Sequence, residues 1–279
     1  MASPDERLFP GKFFISTALE ALETKTAMSG ELAVRYLQRA GTAGLLIAVF
    51  YGAYFSVVAT FSALRVGETD LTGVGKLIGA VVFGWALVFI YYTKSELLTS
   101  NMMVASIGAY YRRVRWPHAL RMLGLCFLGN VLGGLLLAVL LRFSSLASGP
   151  ALVEMQHAVA VKLGYVTAGP AGWSDLLVRA ILCNLMINVA MLLVYNGFIA
   201  EDLTKALAMI TAVFIFAFLG LEHSVANTIL FTIVGLKAGI DVGLAAANVA
   251  IALVGNFIGG GVLIGLYYAF VNDDSKVRK

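Results

Sequence analysis

Charge is what this chain of 279 residues has least of. Asp, Glu, Lys and Arg make up 13% of it, against 60% hydrophobic residues and a mean hydropathy of +0.88. A soluble domain carries about a quarter of its residues as charged side chains. Half that share leaves too little polar surface for water, which excludes a soluble enzyme, a secreted disulfide scaffold, a disordered chain and a nucleic-acid module as descriptions of the whole. The net charge of +4 and pI near 9.0 would suit a nucleic-acid partner, but where the charges sit decides. Cysteine is scarce too: Cys126 and Cys183 lie inside apolar stretches and read as buried packing residues, not a disulfide or metal pair. Three histidines cannot build a His-rich metal centre, and no metal or cofactor is expected. The five prolines stand at 4, 10, 117, 150 and 170, so none interrupts the polar breaks described below. No cleavable signal is expected, because the first long apolar run follows about forty residues of mixed sequence. What remains is an integral membrane protein with the lipid bilayer as its partner.

Runs long enough to cross a bilayer, about 20 residues each, fall near Gly41 to Leu64, Leu77 to Tyr111, His118 to Leu141, Trp173 to Ile199, Ala206 to Leu236 and Val242 to Val271. This divides the chain into an N-terminal segment (1–40), a six-helix membrane domain (41–271) and a short tail (272–279). In the first segment Phe14, Ile15, Ala18, Leu19 and Leu22 recur at helical spacing beside Glu20, Glu23 and Lys25, which predicts an amphipathic helix along the membrane or against the bundle. Arg142 to Gly172 is the one long connection, with turns at Gly149-Pro150 and Gly169-Pro170. Six spans leave both termini on one side. That side holds Arg7, Lys12, Lys25, Arg35 and Arg39, then Arg112, Arg113, Arg115 and Arg121, then Lys205, and finally Lys276, Arg278 and Lys279. The other side has Arg65, Lys76, Arg142, Lys162, Arg179 and Lys237, and Lys94 falls within a span. The positive-inside bias predicts both termini in the cytoplasm, in a plasma or inner membrane.

Span three contains Gly129-Asn130-Val131-Leu132-Gly133-Gly134, and span six Gly255-Asn256-Phe257-Ile258-Gly259-Gly260. The same separation, 126 positions, joins Glu96 in span two to Glu222 in span five. Two independent features at one shift predict a duplicated three-span unit. An odd number of spans inserts the second copy upside down, so the expected fold is all-α, six transmembrane helices as an inverted 3+3 repeat, with the substrate path at paired broken helices near the midplane. The breaks read Lys94-Ser95-Glu96-Leu97-Leu98-Thr99-Ser100-Asn101 and Gly220-Leu221-Glu222-His223-Ser224-Val225-Ala226-Asn227. Polar side chains at membrane depth are costly unless they face protein or a watery cavity. The bland alternative is two unbroken helices carrying a few interhelical hydrogen bonds.

His223 is the first candidate for function, as an intramembrane group able to change protonation near neutral pH; the competing reading is a hydrogen-bonded core histidine. Glu222, about 100° away on a helix, is expected to anchor open backbone groups or a neighbouring span rather than line the same wall. Asn130 and Asn256 read as interhelical glue beside the GxxxG pairs Gly129/Gly133, Gly255/Gly259 and Gly261/Gly265.

The blocks ELLTSNMM (Glu96 to Met103), ILCNLMINVAM (Ile181 to Met191), GLEHSVAN (Gly220 to Asn227) and GNFIGGG (Gly255 to Gly261) resemble those of the formate/nitrite transporter family, in family order. The resemblance implies an aquaporin-like fold, a homopentamer with one pore per protomer, and passage of small monovalent anions: formate, nitrite, hydrosulfide or short carboxylates. By resemblance His223 is the central histidine, Thr99 the broken-loop threonine and Asn184 the asparagine of the fourth helix. Phe83, Leu87, Leu97, Leu98, Ile187 and Phe216 fall at apolar constrictions, and Glu96 and Glu222 structure the loops. Lys162 matches a vestibule lysine, with a solvated loop lysine as its alternative. Lys94 departs from the family pattern, which has a small residue there. It would raise anion affinity, oppose protonation of His223, or be silenced by Glu96 or Glu222.

The implied mechanism draws an anion into a vestibule and carries it through an apolar narrowing. There Thr99 Oγ1 and loop N–H groups replace part of its hydration, and His223 supplies positive field or a proton. A membrane enzyme using Glu222 and His223 lacks any HExxH or hydrolase set. A water/glycerol channel would carry Asn-Pro-Ala in both breaks, and neither has it.

Overall fold

The computed structural model describes residues 8–275. The expectations on Arg7, Lys276, Arg278 and Lys279 lie outside the described residues. Helix α1 (Lys12–Glu31) buries Phe14, Ile15, Ala18 and Leu22 against the bundle, the face that helical spacing predicts. Its start is tied to the other end of the chain: the Gly11 N–H donates to Asn272 Oδ1 at 2.7 Å, and Lys12 pairs with Asp274 at 2.6 Å. Helix α2 (Ala33–Ser62) begins eight residues before the predicted span and leads into a two-stranded hairpin, β1 (Arg65–Val66) and β2 (Thr69–Asp70), turned at Gly67 with φ +63°.

Helices α3 (Thr72–Tyr92) and α4 (Leu98–Tyr110) follow, then α5 (Trp116–Arg142). The expected connection between spans three and four is instead largely helical: α6 runs Gly149–Thr167 and α7 Gly169–Tyr195. Gly149 and Gly169 do turn the chain, at φ +53° and +67°, and the proline after each sits in the first turn of the next helix, where its missing N–H has no intrahelical partner to lose. Helices α8 (Asp202–Phe218), α9 (Ser224–Ala238) and α10 (Val242–Asn256) complete the bundle; α10 continues as a π-helical stretch, Phe257–Leu266, and ends in α11 (Tyr267–Val271).

Among the described residues five segments are long and apolar enough to cross a membrane: Ala33–Ser62, Thr72–Tyr92, Trp116–Arg142, Gly169–Tyr195 and Val242–Val271. The predicted fifth span is divided between α8 (17 residues) and α9 (15 residues), both shorter than the roughly 20 residues usual for a span.

Small residues set how closely the helices approach. A Cβ on Gly133 of α5 would fall 1.8 Å from the Gly41 carbonyl oxygen of α2, and one on Gly259 would fall 2.1 Å from the Ile181 carbonyl oxygen of α7. Backbone meets backbone at both crossings, the close approach that small-xxx-small patterns allow. Cys126 and Cys183 are free and fully buried.

Candidate functional site

Helices α3 and α8 end in the same way. After Thr93 and Leu219 the chain enters the left-handed region at Lys94 (φ +54°) and Gly220 (φ +64°), which stops each helix. Arginines from neighbouring helices hold the turned carbonyls: Arg39 Nε donates to the Lys94 oxygen at 2.8 Å, and Arg179 Nη1 to the Gly220 oxygen at 3.3 Å. The chain then extends, with Leu97 at φ −109°, ψ 126° and His223 at φ −108°, ψ 113°, before α4 and α9 begin.

Opened backbone inside a membrane needs partners, and two asparagines supply them. Asn130 Oδ1 accepts from the Leu98 N–H at 3.1 Å while its Nδ2 donates to the carbonyls of Ala40 and Glu96, both at 2.8 Å. Asn256 Oδ1 accepts from the Ser224 N–H at 2.9 Å while its Nδ2 donates to Ala180 (2.8 Å) and Glu222 (3.0 Å). Both are completely buried. The start of each helix, with its positive dipole end, is therefore fixed from a different helix.

Each buried glutamate carries its own counter-charge. Glu96 is paired with Lys25 of α1, lies 3.6 Å from Arg39 Nη2, and accepts from Asn101 Nδ2 at 3.1 Å. Glu222 accepts from Lys162 at 2.9 Å and from Asn227, whose amide also reaches Asn248. Lys162 is thus no loop lysine: it sits on α6, 8% exposed. Because Glu222 and His223 both precede α9, the helical angle between them does not apply; they face the same cavity, and the partners of Glu222 are side chains. Lys94 is exposed, with Nζ over the Tyr91 ring at 5.0 Å, and it neutralises neither glutamate because Lys25 and Arg39 already occupy Glu96.

His223 is the N-cap of α9: its Nδ1 accepts from the Ala226 N–H at 3.2 Å. An accepting Nδ1 places the single proton of a neutral imidazole on Nε2, 3.1 Å from Thr99 Oγ1. The ring stacks on Phe216 at 5.9 Å. Thr99 is wholly buried, so it orients the imidazole rather than forming a wall. Behind it, Asn184 and Asn188 both donate to the Thr99 carbonyl, at 3.1 and 3.2 Å, and Asn184 also donates to the Asn256 carbonyl at the start of the π-helical stretch. Asn184 therefore supports the site from outside the cavities instead of lining a path. Leu98 likewise faces away from them.

Three cavities abut along the bundle. A 520 Å³ vestibule on the side of the termini is lined by Lys25, Arg39, Lys94 and Glu96. A 350 Å³ vestibule on the far side is lined by Lys76, Lys162, Arg179 and Glu222. Between them lies a space of 20 Å³ walled by Ile47, Phe83, Ala86, Leu87, Ile90, Leu97, Ile187, Val213, Phe216 and Ala226, with His223 its one polar wall residue. Leu87, Ile90 and Leu97 also border the first vestibule; Phe83, Phe216 and His223 also border the second.

A family model described as formate/nitrite transporter matches residues 14–270. The chain belongs to that family. It is 28% identical to the formate channel FocA of Haemophilus influenzae, over 71% of this chain and 75% of the relative. Its fold is that of a solved FNT family ion channel, at TM-score 0.80 and 21% identity, covering 93% of this chain and 99% of that one. It also matches a structure titled pentameric formate channel with formate bound, at TM-score 0.68 and 19% identity over 86% and 98% of the two chains. This family is one of transporters, and the chain is a membrane protein with several apolar spans. In this transporter the sequence reading missed Lys25, Arg39, Asn101, Asn188, Asn227 and Asn248. Asn101 and Asn227 were within its reach, since each follows its glutamate by five positions.

Proposed function

We propose that the protein is a channel for small monovalent anions of weak acids, formate first, with nitrite and hydrosulfide as the alternatives within the same family. The observation that supports this is the 20 Å³ apolar section between two vestibules, each lined by three cationic residues and two carboxylates, with His223 as its polar wall. In this reading the chain from α2 to α5 and the chain from α7 to α11 are the two halves of an inverted repeat, α3–α4 and α8–α9 are its broken helices, and both termini are cytoplasmic. The protein assembles as a homopentamer with one path per protomer; the name of its structural relative describes that protein as pentameric.

An anion gathers at the vestibule lysines and meets the helix starts of α4 and α9, whose dipoles favour negative charge. A bare charge cannot enter the apolar section without a large desolvation penalty. Neutral His223 is bound on both nitrogens, by Ala226 and Thr99. A second proton displaces the Ala226 bond and leaves an imidazolium beside the anion. Passing that proton to the anion lets the weak acid cross uncharged and restores the cap. Flux then rises as pH falls, until the imidazole stays charged.

The test is formate uptake by proteoliposomes carrying wild type, His223→Phe or His223→Asn. Asparagine keeps an oxygen to cap α9 while removing the titration, so it separates folding from function. Loss of uptake and of its pH dependence in both variants is expected. Undiminished, still pH-dependent uptake in either would overturn the role of His223.

A further inference from the structure

The far-side vestibule contains two hydroxyl groups that the mechanism above does not use. Tyr51 and Tyr54 stand one turn apart on α2, and both line this cavity directly ahead of Phe83 and Phe216. Their rings are packed: Tyr51 lies 5.0 Å from the Phe83 ring and 4.9 Å from Phe55, Tyr54 lies 5.0 Å from Phe55, and the two are 5.9 Å apart. A Cβ on Gly79 of α3 would come within 2.9 Å of the Tyr54 ring, so α3 closes on it from the other side. The rings are held, but neither hydroxyl has a hydrogen-bond partner among the described residues, and both side chains line the cavity. The charged residues that line the cavity with them are Lys76, Lys162, Arg179, Glu154 and Glu222.

A tyrosine hydroxyl enclosed in a cavity is normally bonded to something. Two of them, preorganised on one helix beside a lysine, are donors waiting for acceptors. The Lys162 ammonium spends one of its three hydrogens on Glu222 and another has room toward the cavity it lines. We infer that Tyr51, Tyr54 and Lys162 form an oxygen-recognising subsite for planar monoanions with two acceptor oxygens, of the carboxylate or nitrite type, at the far-side approach to the constriction. This rests on the anion-channel reading above and narrows its substrate class. Hydroxyl donors replace water on oxygen atoms before the anion reaches the apolar section. Sulfur is a weak acceptor, so hydrosulfide gains little from them.

The experiment uses the full chain in proteoliposomes, comparing wild type with Tyr51→Phe, Tyr54→Phe and the double variant. Radiolabelled formate uptake gives the half-saturating concentration, and competition gives the nitrite and hydrosulfide concentrations that halve it. Losing hydrogen bonds to a charged ligand weakens binding roughly tenfold or more. In the double variant the formate and nitrite values are expected to rise roughly tenfold, with the hydrosulfide value held within about twofold; that retention also reports an intact fold. Unchanged formate and nitrite values overturn the subsite while leaving the channel reading in place. A hydrosulfide value rising in step overturns it too, because the rings then serve only as packing. If the wild type takes up none of the three anions, the channel reading itself has failed.

Discussion

Leu97 and His223 occupy equivalent places: each is the extended residue immediately ahead of a helix, with φ and ψ within about fifteen degrees of the other's, and each borders the same 20 Å³ constriction. They differ in what the side chain can do. His223 accepts from its own helix, while Leu97 offers the start of α4 nothing and leaves that task to Asn130. One side of the narrowing is thereby polar and fixed, and the other is greasy. A space of this size holds about one water, and we propose that Leu97 acts there as a size filter. Leu97→Ala is expected to admit acetate and lactate, raising their uptake at least several-fold relative to formate in proteoliposomes. An unchanged preference would show that the filter lies elsewhere.

Asn130 and Asn256 each bond three backbone groups, one carbonyl within a neighbouring helix and one carbonyl and one amide of a break. Replacing either by alanine leaves one carbonyl and one amide of the break buried without that partner, at roughly 1–3 kcal/mol for each group. Asn130→Ala and Asn256→Ala are expected to lower the melting temperature in detergent sharply, or to abolish the folded oligomer on size exclusion. Melting unchanged within a degree or so would mean that water replaces the amide.

These features differ in how far the sequence discloses them. A repeated role leaves repeated residues, and Glu96/Glu222 and Asn130/Asn256 stand out because both pairs share one separation. The charged partners of the glutamates leave no such trace. Lys25 reaches Glu96 from α1 and Lys162 reaches Glu222 from α6, contacts made only by tertiary packing. Helix α6 itself hides because Glu154, Gln156, His157 and Lys162 break its apolar run, and the Gly-Pro pairs at its ends look like loop signals when they are helix starts. Tyr51 and Tyr54 read as ordinary membrane aromatics until the cavity beside them is seen.

Lys94 occupies a left-handed position where Gly220 serves the other break. A residue with a Cβ loses about 1 kcal/mol there relative to glycine. Lys94→Gly is therefore expected to raise thermal stability by a few degrees while weakening anion attraction into the terminal-side vestibule, read as a modest rise in the half-saturating concentration. The combination discriminates: a fall in stability would show that the lysine's contact with Tyr91 outweighs the backbone strain.

Lys162 and Glu222 form a pair with side chains only 10% and 2% exposed. Removing one member of such a pair leaves the other charged and desolvated, a loss of about 3–5 kcal/mol, whereas removing both leaves no orphan charge. Lys162→Met and Glu222→Gln alone should each destabilise strongly, and the double variant should melt closer to wild type than the sum of the two predicts. Transport should respond differently. The double variant is neutral where wild type presents an ammonium to the vestibule, so it should fold yet take up formate with a half-saturating concentration at least severalfold higher. Stability recovered without that loss would assign the lysine to folding alone. Additive destabilisation would show that Glu222 depends on Asn227 and its neighbours, and not on the lysine, for its burial.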